Sequence, residues 1–178
     1  MTNTIWIFSY GSLMNDGWEQ SHGCICRVLA TLPGFSRAFD KLSIESRGTK
    51  EYPAPTLRIV PSDKMCLGVA FEFPNDKRTE ILKELYDREG PAFPLKEQLI
   101  TLNSGKQITA LVPTYEGRNL IGGKTLPEIA KMAILAKGKR GSGVQYVEDI
   151  LNHLTKNEIN DPVVTDLWKE IQRQLGTR

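Results

Sequence analysis

Apolar residues in the first part of the chain recur at the short period that is typical of β-strands. The clearest run is CLGVAFEF at 66–73, where the pattern alternates and β-forming residues dominate. Pro33-Gly34 predicts a turn, because this pair commonly interrupts regular structure. Strands are predicted over residues 4–9, 25–32, 35–39, 57–60, 65–73, 98–102 and 107–112.

The last third of the chain is predicted to be helical. Capping-box sequences indicate helix starts at 125–128 and 142–145, and Asp161-Pro162 is an N-cap followed by proline at the first helical position. Strands come first and helices last, without the regular βαβ alternation of a Rossmann sheet. We therefore predict an α+β fold: a small mixed or antiparallel β-barrel with flanking helices.

The composition is that of an ordinary globular domain. The chain has 178 residues, of which 40% are hydrophobic and 25% charged, so one domain over residues 1–178 is expected. The net charge of +2 is too small to indicate nucleic acid or a membrane surface as partner. No apolar run approaches the roughly 20 residues needed to span a bilayer.

The cysteines bear on location and on metal binding. An odd count of three favours free thiols in a reducing compartment, and the start MTNT has no signal-peptide pattern, so a cytoplasmic protein is expected. Cys24 and Cys26 are spaced for one face of a strand. Without a second pair or a nearby histidine they do not predict a zinc site, and no metal is expected.

Two other kinds of site are also disfavoured. A Ser-His-Asp or Cys-His site would need His22 or His153, and neither histidine has a supporting motif. The sequence GKRGSG at 138–143 looks like a phosphate loop. It lacks the phosphate-loop spacing and follows a helix, not a strand, so an inter-helix loop is the favoured interpretation.

A helix predicted over residues 76–89 ends in a candidate acid/base residue. Asn75 is a suitable N-cap, and Gly90 terminates the helix. Ile81 and Leu85 define an apolar stripe whose next position is Glu89. Burial and the negative end of the helix dipole would both raise the pKa of Glu89, which makes it a candidate general acid/base. The open alternative is a side chain that swings outward or pairs with Arg88.

The first strand ends abruptly at a candidate anion site. A strand that breaks at Gly11, between Tyr10 and Ser12, can turn successive main-chain N–H groups toward a carboxylate or phosphate. The hydroxyls of Tyr10 and Ser12 could add hydrogen bonds. Arg47, followed by Gly48 in a polar loop, could offer a forked donor to a carboxylate. An ordinary turn and a solvated arginine are the alternatives.

Five stretches in the same order make the chain resemble the ChaC-type γ-glutamylcyclotransferases, which act on glutathione. Together they cover nearly the whole chain. They are YGSLM at 10–14, SRGTKEYPAPTLRIV at 46–60, CLGVAFEF at 66–73, LYDREG at 85–90 and LPEIAKMAILAKGKRGSGVQYVEDIL at 126–151.

The resemblance implies a γ-glutamylcyclotransferase-like barrel that uses no metal and no organic cofactor. It implies Glu89 as the catalytic glutamate and main-chain amides of Tyr10, Gly11, Ser12 and Leu13 at the γ-glutamyl end of the substrate. It also implies Arg47, Gly48 and Tyr146 as substrate contacts. The expected reaction converts glutathione to 5-oxoproline and Cys-Gly.

Three departures from the family pattern keep alternatives open. Asn15 follows Met14 where relatives often have tryptophan, and Gln145 stands where they have glutamate. Phe93 replaces a tyrosine after the catalytic glutamate and cannot donate a hydrogen bond. Other γ-glutamyl amino acids or γ-glutamylamines are therefore alternative substrates. A non-catalytic small-molecule-binding module, or a phosphate-binding protein that uses GKRGSG, is a further alternative.

Overall fold

The computed structural model describes residues 4–176 of the chain, which divides into two units. Within the described residues, unit 1 comprises 4–36 and 59–117, and unit 2 comprises 37–58 and 118–176. Each unit is described by itself. The assignment of the whole chain to one domain stays a prediction.

Five strands form a closed barrel in the order β1-β3-β2-β4-β5. β1 pairs antiparallel with β3 from Thr4 opposite Pro74 to Ser9 opposite Val69, and parallel with β5 through Ile7 and Leu111. The barrel is therefore mixed, and the predicted α+β fold class is confirmed. The strands are β1 Thr4–Ser9, β2 Cys26–Ser43, β3 Ala54–Pro74, β4 Leu95–Leu102 and β5 Gln107–Pro113.

Two of the strands are much longer than predicted. β2 runs without a break through Pro33-Gly34, so the predicted turn there is wrong. Gly34 has φ 79°, a left-handed conformation that glycine adopts without steric cost and that lets a strand bend without ending. β3 likewise joins two predicted strands across Pro61. Pairing around the barrel overrides local breaking residues.

The core of unit 1 holds the segment that leads out of β1. Two short 3₁₀ helices, Ser12–Met14 and Trp18–His22, follow that strand. The Trp18 ring lies 5.7 Å from the Phe71 ring and 5.3 Å from the Phe73 ring, and all three side chains are buried. This aromatic cluster anchors the segment to β3.

Unit 1 also contains the helix α1, Arg78–Glu89, which a 3₁₀ turn at Asn75–Lys77 precedes. The predicted cap at Asn75 is wrong, because the chain enters the helix through this tighter turn and the first helical residue is Arg78. Ile81 and Leu85 are fully buried, as their spacing predicted.

Unit 2 contains the remaining helices, α2 Leu126–Leu135, α3 Gly143–Lys156 and α4 Pro162–Gly176. The predicted caps are present. The Thr125 N–H donates to Glu128 Oε2 at 2.8 Å, the Gln145 N–H to Ser142 Oγ at 3.1 Å, and the Val163 N–H to Asp161 Oδ1 at 3.0 Å. Within residues 4–176, no helix has the length and apolar character that crossing a membrane requires.

GKRGSG lies between α2 and α3, as predicted. It forms a hairpin of two-residue strands, Lys137–Gly138 and Gly141–Ser142. The Lys139 and Arg140 N–H groups donate to the carbonyl groups of Glu45 and Ser46 at 3.0 and 2.7 Å. The hairpin therefore supports the loop that precedes β3.

A buried ion pair ties α4 to β2 within unit 2. Arg37 Nη1 lies 2.8 Å from Asp161 Oδ2, and the arginine side chain is 1% exposed. Asp161 Oδ1 at the same time caps α4 through the Val163 N–H. Both carboxylate oxygens are therefore in use, and the arginine charge is compensated in a place that water does not reach.

We predict that Arg37→Ala destabilises the protein by about 3–5 kcal/mol, because it leaves the Asp161 carboxylate without its buried partner. Chemical denaturation followed by circular dichroism measures the change in the free energy of unfolding. Arg173→Ala, which removes an exposed arginine paired with Glu170 on the same helix, is the matched control and should change little. Equal effects of the two substitutions would contradict the prediction.

Candidate active site

Tyr10 is held by its side chain at the end of β1. The residue is buried, and its hydroxyl donates to the Pro113 carbonyl at 2.8 Å. That bond uses the only proton of the phenol. The suggestion that this hydroxyl donates to a bound anion is therefore not supported, and a role of Tyr10 in binding depends on its main chain.

The main chain at 11–13 offers donors that unit 1 leaves unused. The Met14 N–H closes the 3₁₀ turn onto the Gly11 carbonyl at 3.1 Å. In the described part of this unit, no residue accepts a hydrogen bond from the N–H groups of Gly11, Ser12 or Leu13. Three successive N–H groups are a suitable donor set for a carboxylate.

Glu89 is the last residue of α1. It is half-buried, and it is therefore less enclosed than Ile81 and Leu85 on the same stripe. Gly90 ends the helix with φ 80°, a conformation that favours glycine, and its N–H donates to the Tyr86 carbonyl at 2.9 Å. The raised pKa expected of Glu89 stays a prediction.

One contact joins the end of α1 to the segment after Met14. Arg88 Nη2 makes a close hydrogen bond with Asp16 Oδ2, and Asp16 Oδ1 accepts from the Trp18 N–H at 3.1 Å. Arg88 Nη1 also lies 3.9 Å from Glu84 Oε1, one turn earlier on the same helix. Because Arg88 adjoins Glu89, the contact with Asp16 ties the last turn of α1 to the segment that follows Met14.

A second connection runs through the end of β5. The Thr114 N–H donates to the Pro94 carbonyl at 3.0 Å, and the Glu116 N–H donates to the Ala92 carbonyl at 2.8 Å. The stretch just after Glu89 is thus bonded to residues 114–116. Tyr10 is bonded to the neighbouring Pro113. Tyr10 and the stretch that follows Glu89 are therefore both bonded to residues 113–116 at the end of β5.

Unit 2 brings together two of the predicted binding residues. The Arg47 guanidinium carbon lies 5.4 Å from the centre of the Tyr146 ring, and Arg47 Nη2 lies 3.4 Å from Asp149 Oδ2. The Tyr146 hydroxyl accepts from the Leu57 N–H at 3.2 Å. The half-buried arginine is therefore held by a ring and a carboxylate, in the manner of a positioned binding group.

Gly48 allows the loop behind Arg47 to close. A Cβ at this position would lie 2.4 Å from the Ala54 nitrogen, 2.6 Å from the Tyr52 oxygen and 2.8 Å from the Ser43 oxygen. These main-chain atoms cannot withdraw without moving the loop. Gly48 is thus required by close packing, whether or not it also contacts a ligand.

Other chemistry finds little support in the described residues. Among residues 4–176, no group of three His, Cys, Asp or Glu side chains is arranged to hold a metal ion. Burial raises the pKa of the Cys24 thiol, which lowers its thiolate fraction.

His22 contacts carboxylates: its Nδ1 lies 3.1 Å from Glu80 Oε1. Hydrogen bonds from Lys77 and then His22 hold the pKa of Glu80 below its usual value.

Sequence reasoning missed Asp16 as the partner of Arg88, Pro113 as the partner of Tyr10 and Asp149 as the partner of Arg47. Each pair joins residues that lie roughly 70 to 100 positions apart in the chain. Only Asp149 carried a signal, because it lies three positions after Tyr146 on one helix and so shares its face.

The chain is similar to known proteins over nearly all of its length. The family model described as ChaC-like protein matches residues 5–174. The glutathione-specific gamma-glutamylcyclotransferase of Escherichia coli is 30% identical over 97% of this chain and 74% of its own, and gamma-glutamylcyclotransferase 2-3 of Arabidopsis thaliana is 26% identical over 97% and 90%.

The fold agrees as well. A crystal structure of a glutathione-specific γ-glutamylcyclotransferase from yeast superposes with a TM-score of 0.83 at 22% identity, and the match covers 96% of both chains. Because the family model matches residues 5–174 and the barrel is of the predicted kind, the chain belongs to the ChaC-like family.

Proposed function

We propose that the protein is a γ-glutamylcyclotransferase, a lyase that converts glutathione to 5-oxoproline and Cys-Gly. The observation that carries the proposal is the Arg88–Asp16 contact, which joins the last turn of α1, where Glu89 lies, to the segment that follows Met14. Family membership and the names of the Escherichia coli and yeast relatives support glutathione as the substrate.

The reaction requires a proton acceptor that later becomes a donor. The α-amine of the γ-glutamyl group attacks its own γ-amide carbonyl, the C–N bond to cysteine breaks, and a five-membered lactam closes without water. An α-amine has a pKa of about 8 and is mostly protonated at neutral pH. Glu89 takes the proton from the amine and returns one to the leaving amine of Cys-Gly.

The position of Glu89 suits that double role. A carboxylate at a helix C-terminus faces the negative end of the helix dipole, and partial burial removes solvation, so both effects favour the protonated form. We propose that the pKa of Glu89 is raised toward neutrality. A carboxyl group with such a pKa can accept and donate a proton at similar rates.

The open N–H groups at 11–13 are proposed to bind the substrate α-carboxylate. Fixing that carboxylate folds the γ-glutamyl chain so that the amine approaches the carbonyl, and orientation of this kind contributes several kcal/mol to catalysis. Arg47, Gly48 and Tyr146 stay predicted substrate contacts. The guanidinium of Arg47, already oriented by Asp149 and the Tyr146 ring, is suited to bind a carboxylate.

A second candidate keeps the reaction and changes the leaving group. The Phe93 ring packs 5.0 Å from the Tyr115 ring, so the residue that replaces the family tyrosine contributes an apolar contact and no donor. This feature favours acceptance of γ-glutamyl amino acids or amines beside glutathione. A panel of γ-glutamyl compounds, with 5-oxoproline as the common product, separates the two candidates.

We also propose a cytoplasmic location. Cys24, Cys26 and Cys66 are all unbridged, which is consistent with the reducing compartment that their odd number predicted. The proposed partner is a small molecule, because glutathione and other γ-glutamyl compounds are all small.

The substitution Glu89→Gln tests the catalytic role. It keeps the shape of the side chain and removes its basicity, so we expect kcat to fall by at least about 10³-fold while the free energy of unfolding changes little. Release of Cys-Gly and formation of 5-oxoproline are measured by liquid chromatography and mass spectrometry.

Asp87→Asn is the matched control, because Asp87 is an exposed carboxylate on the same helix, paired with Lys83. This variant should retain wild-type turnover. Turnover by purified Glu89→Gln at a level near that of wild type would remove Glu89 from the mechanism.

Arg47→Ala tests the binding role. Loss of one charge-assisted hydrogen bond should raise KM for glutathione by about tenfold or more, with a smaller effect on kcat. Initial rates over a range of glutathione concentrations measure both constants. Arg173→Ala, an exposed arginine of unit 2 that also pairs with a carboxylate, should leave them unchanged. If both constants of Arg47→Ala match those of wild type, Arg47 makes no contact with the substrate.

A further inference from the structure

A linked series of charged side chains fastens α1 to the segment 16–22. At the start of the helix, the His22 ring approaches Glu80 Oε1 at 3.1 Å and Glu84 Oε2 at 3.8 Å. At its end, Glu84 lies 3.9 Å from Arg88, which bonds to Asp16. The helix is therefore attached to this segment at both ends.

We propose that Arg88 and Asp16 are positioning residues for Glu89, a role that rests on the proposed function. Neither residue takes part in the proton transfers of the proposed reaction. Arg88 holds the last turn of α1, and Asp16 is the fixed point to which it is held.

Asp16 is a suitable fixed point because several hydrogen bonds and a buried ring hold its own segment. Its Oδ1 accepts from the Trp18 N–H, and the Trp18 ring is buried against the core while its Nε1–H donates to the Leu13 carbonyl at 3.0 Å. On the near side, Arg27 Nη2 donates to the Met14 carbonyl at 2.9 Å and to Asn15 Oδ1 at 2.8 Å. These bonds connect Asp16 with its neighbours, so a contact with Asp16 is a contact with the whole stretch 13–18.

Glu89 requires such a restraint because it lies in the last turn of α1. The final carbonyl groups of a helix have no partners in the helix itself, and helix ends open readily. Gly90 then reverses the chain with a positive φ and supplies no side chain to pack. A displacement of about 1 Å in a catalytic group can cost roughly a hundredfold in rate.

α1 also carries an ion pair that makes no bond to the segment 16–22. Lys83 Nζ lies 2.6 Å from Asp87 Oδ2, and both side chains are more than half exposed. This pair resembles Arg88–Asp16 in chemistry and differs in joining two residues of one helix. It therefore serves as the control for the effect of removing a charge from α1.

Kinetics of four variants test the proposal. Asp16→Asn keeps the oxygen that accepts from Trp18 and loses the charge. We expect Asp16→Asn and Arg88→Gln each to lower kcat by about tenfold or more, with KM within about twofold of wild type and an unchanged melting temperature. Arg88→Lys, which can still reach Asp16, should recover part of the loss, and Asp87→Asn should lose nothing.

The double variant Asp16→Asn/Arg88→Gln separates a shared role from two unrelated ones. If the residues act as one unit, the double variant is no slower than the slower single variant. Multiplied losses in the double variant, or wild-type kcat in either single variant, would overturn the proposal.

Amide hydrogen exchange provides a measure that does not depend on activity. The Gly90 N–H bonds to the Tyr86 carbonyl and therefore reports closure of the last turn. Its exchange should accelerate at least about fivefold in Asp16→Asn and Arg88→Gln, and not in Asp87→Asn. Unchanged exchange refutes the positioning role even in an active enzyme. If exchange accelerates in Asp16→Asn and Arg88→Gln while the wild-type protein shows no cyclotransferase activity, the proposed function is refuted and the restraint on the helix end is not.

Discussion

One ion pair, Arg88 with Asp16, joins the last turn of α1 to the segment that follows Met14, and the proposed positioning of Glu89 depends on it. A carboxylate at a free helix end would be solvated and mobile. The same carboxylate on a helix end that is tied to a neighbouring segment is more restrained and has less water around it. The half-buried state of Glu89 agrees with this attachment.

The rigidity of the segment in turn comes from the barrel. Trp18 packs on Phe71 and Phe73, which β3 presents on its buried face. Tyr10 is bonded to the end of β5, where the chain after Glu89 is bonded as well. The candidate base and the candidate anion cradle thus share a scaffold of strands, and strands hold a geometry more exactly than free loops do.

Local features were readable from the sequence, whereas pairing between distant residues was not. The buried face of α1, the caps at Thr125, Ser142 and Asp161, and the barrel followed from spacing, capping chemistry and the order of the elements. The continuity of β2 through Pro33-Gly34 did not, because pairing in a closed barrel outweighs a local preference. The candidate site could be proposed from the sequence as a set of residues, but the partners that hold those residues could not be predicted, since each partner is distant in the chain.

The central claim is that this chain closes a lactam without using water. Incubation of the purified protein with glutathione in H₂¹⁸O, followed by mass spectrometry of both products, tests it directly. The account predicts equal amounts of Cys-Gly and 5-oxoproline, with no ¹⁸O in either. Release of glutamate that carries ¹⁸O would indicate hydrolysis and contradict it, as would intact glutathione after prolonged incubation.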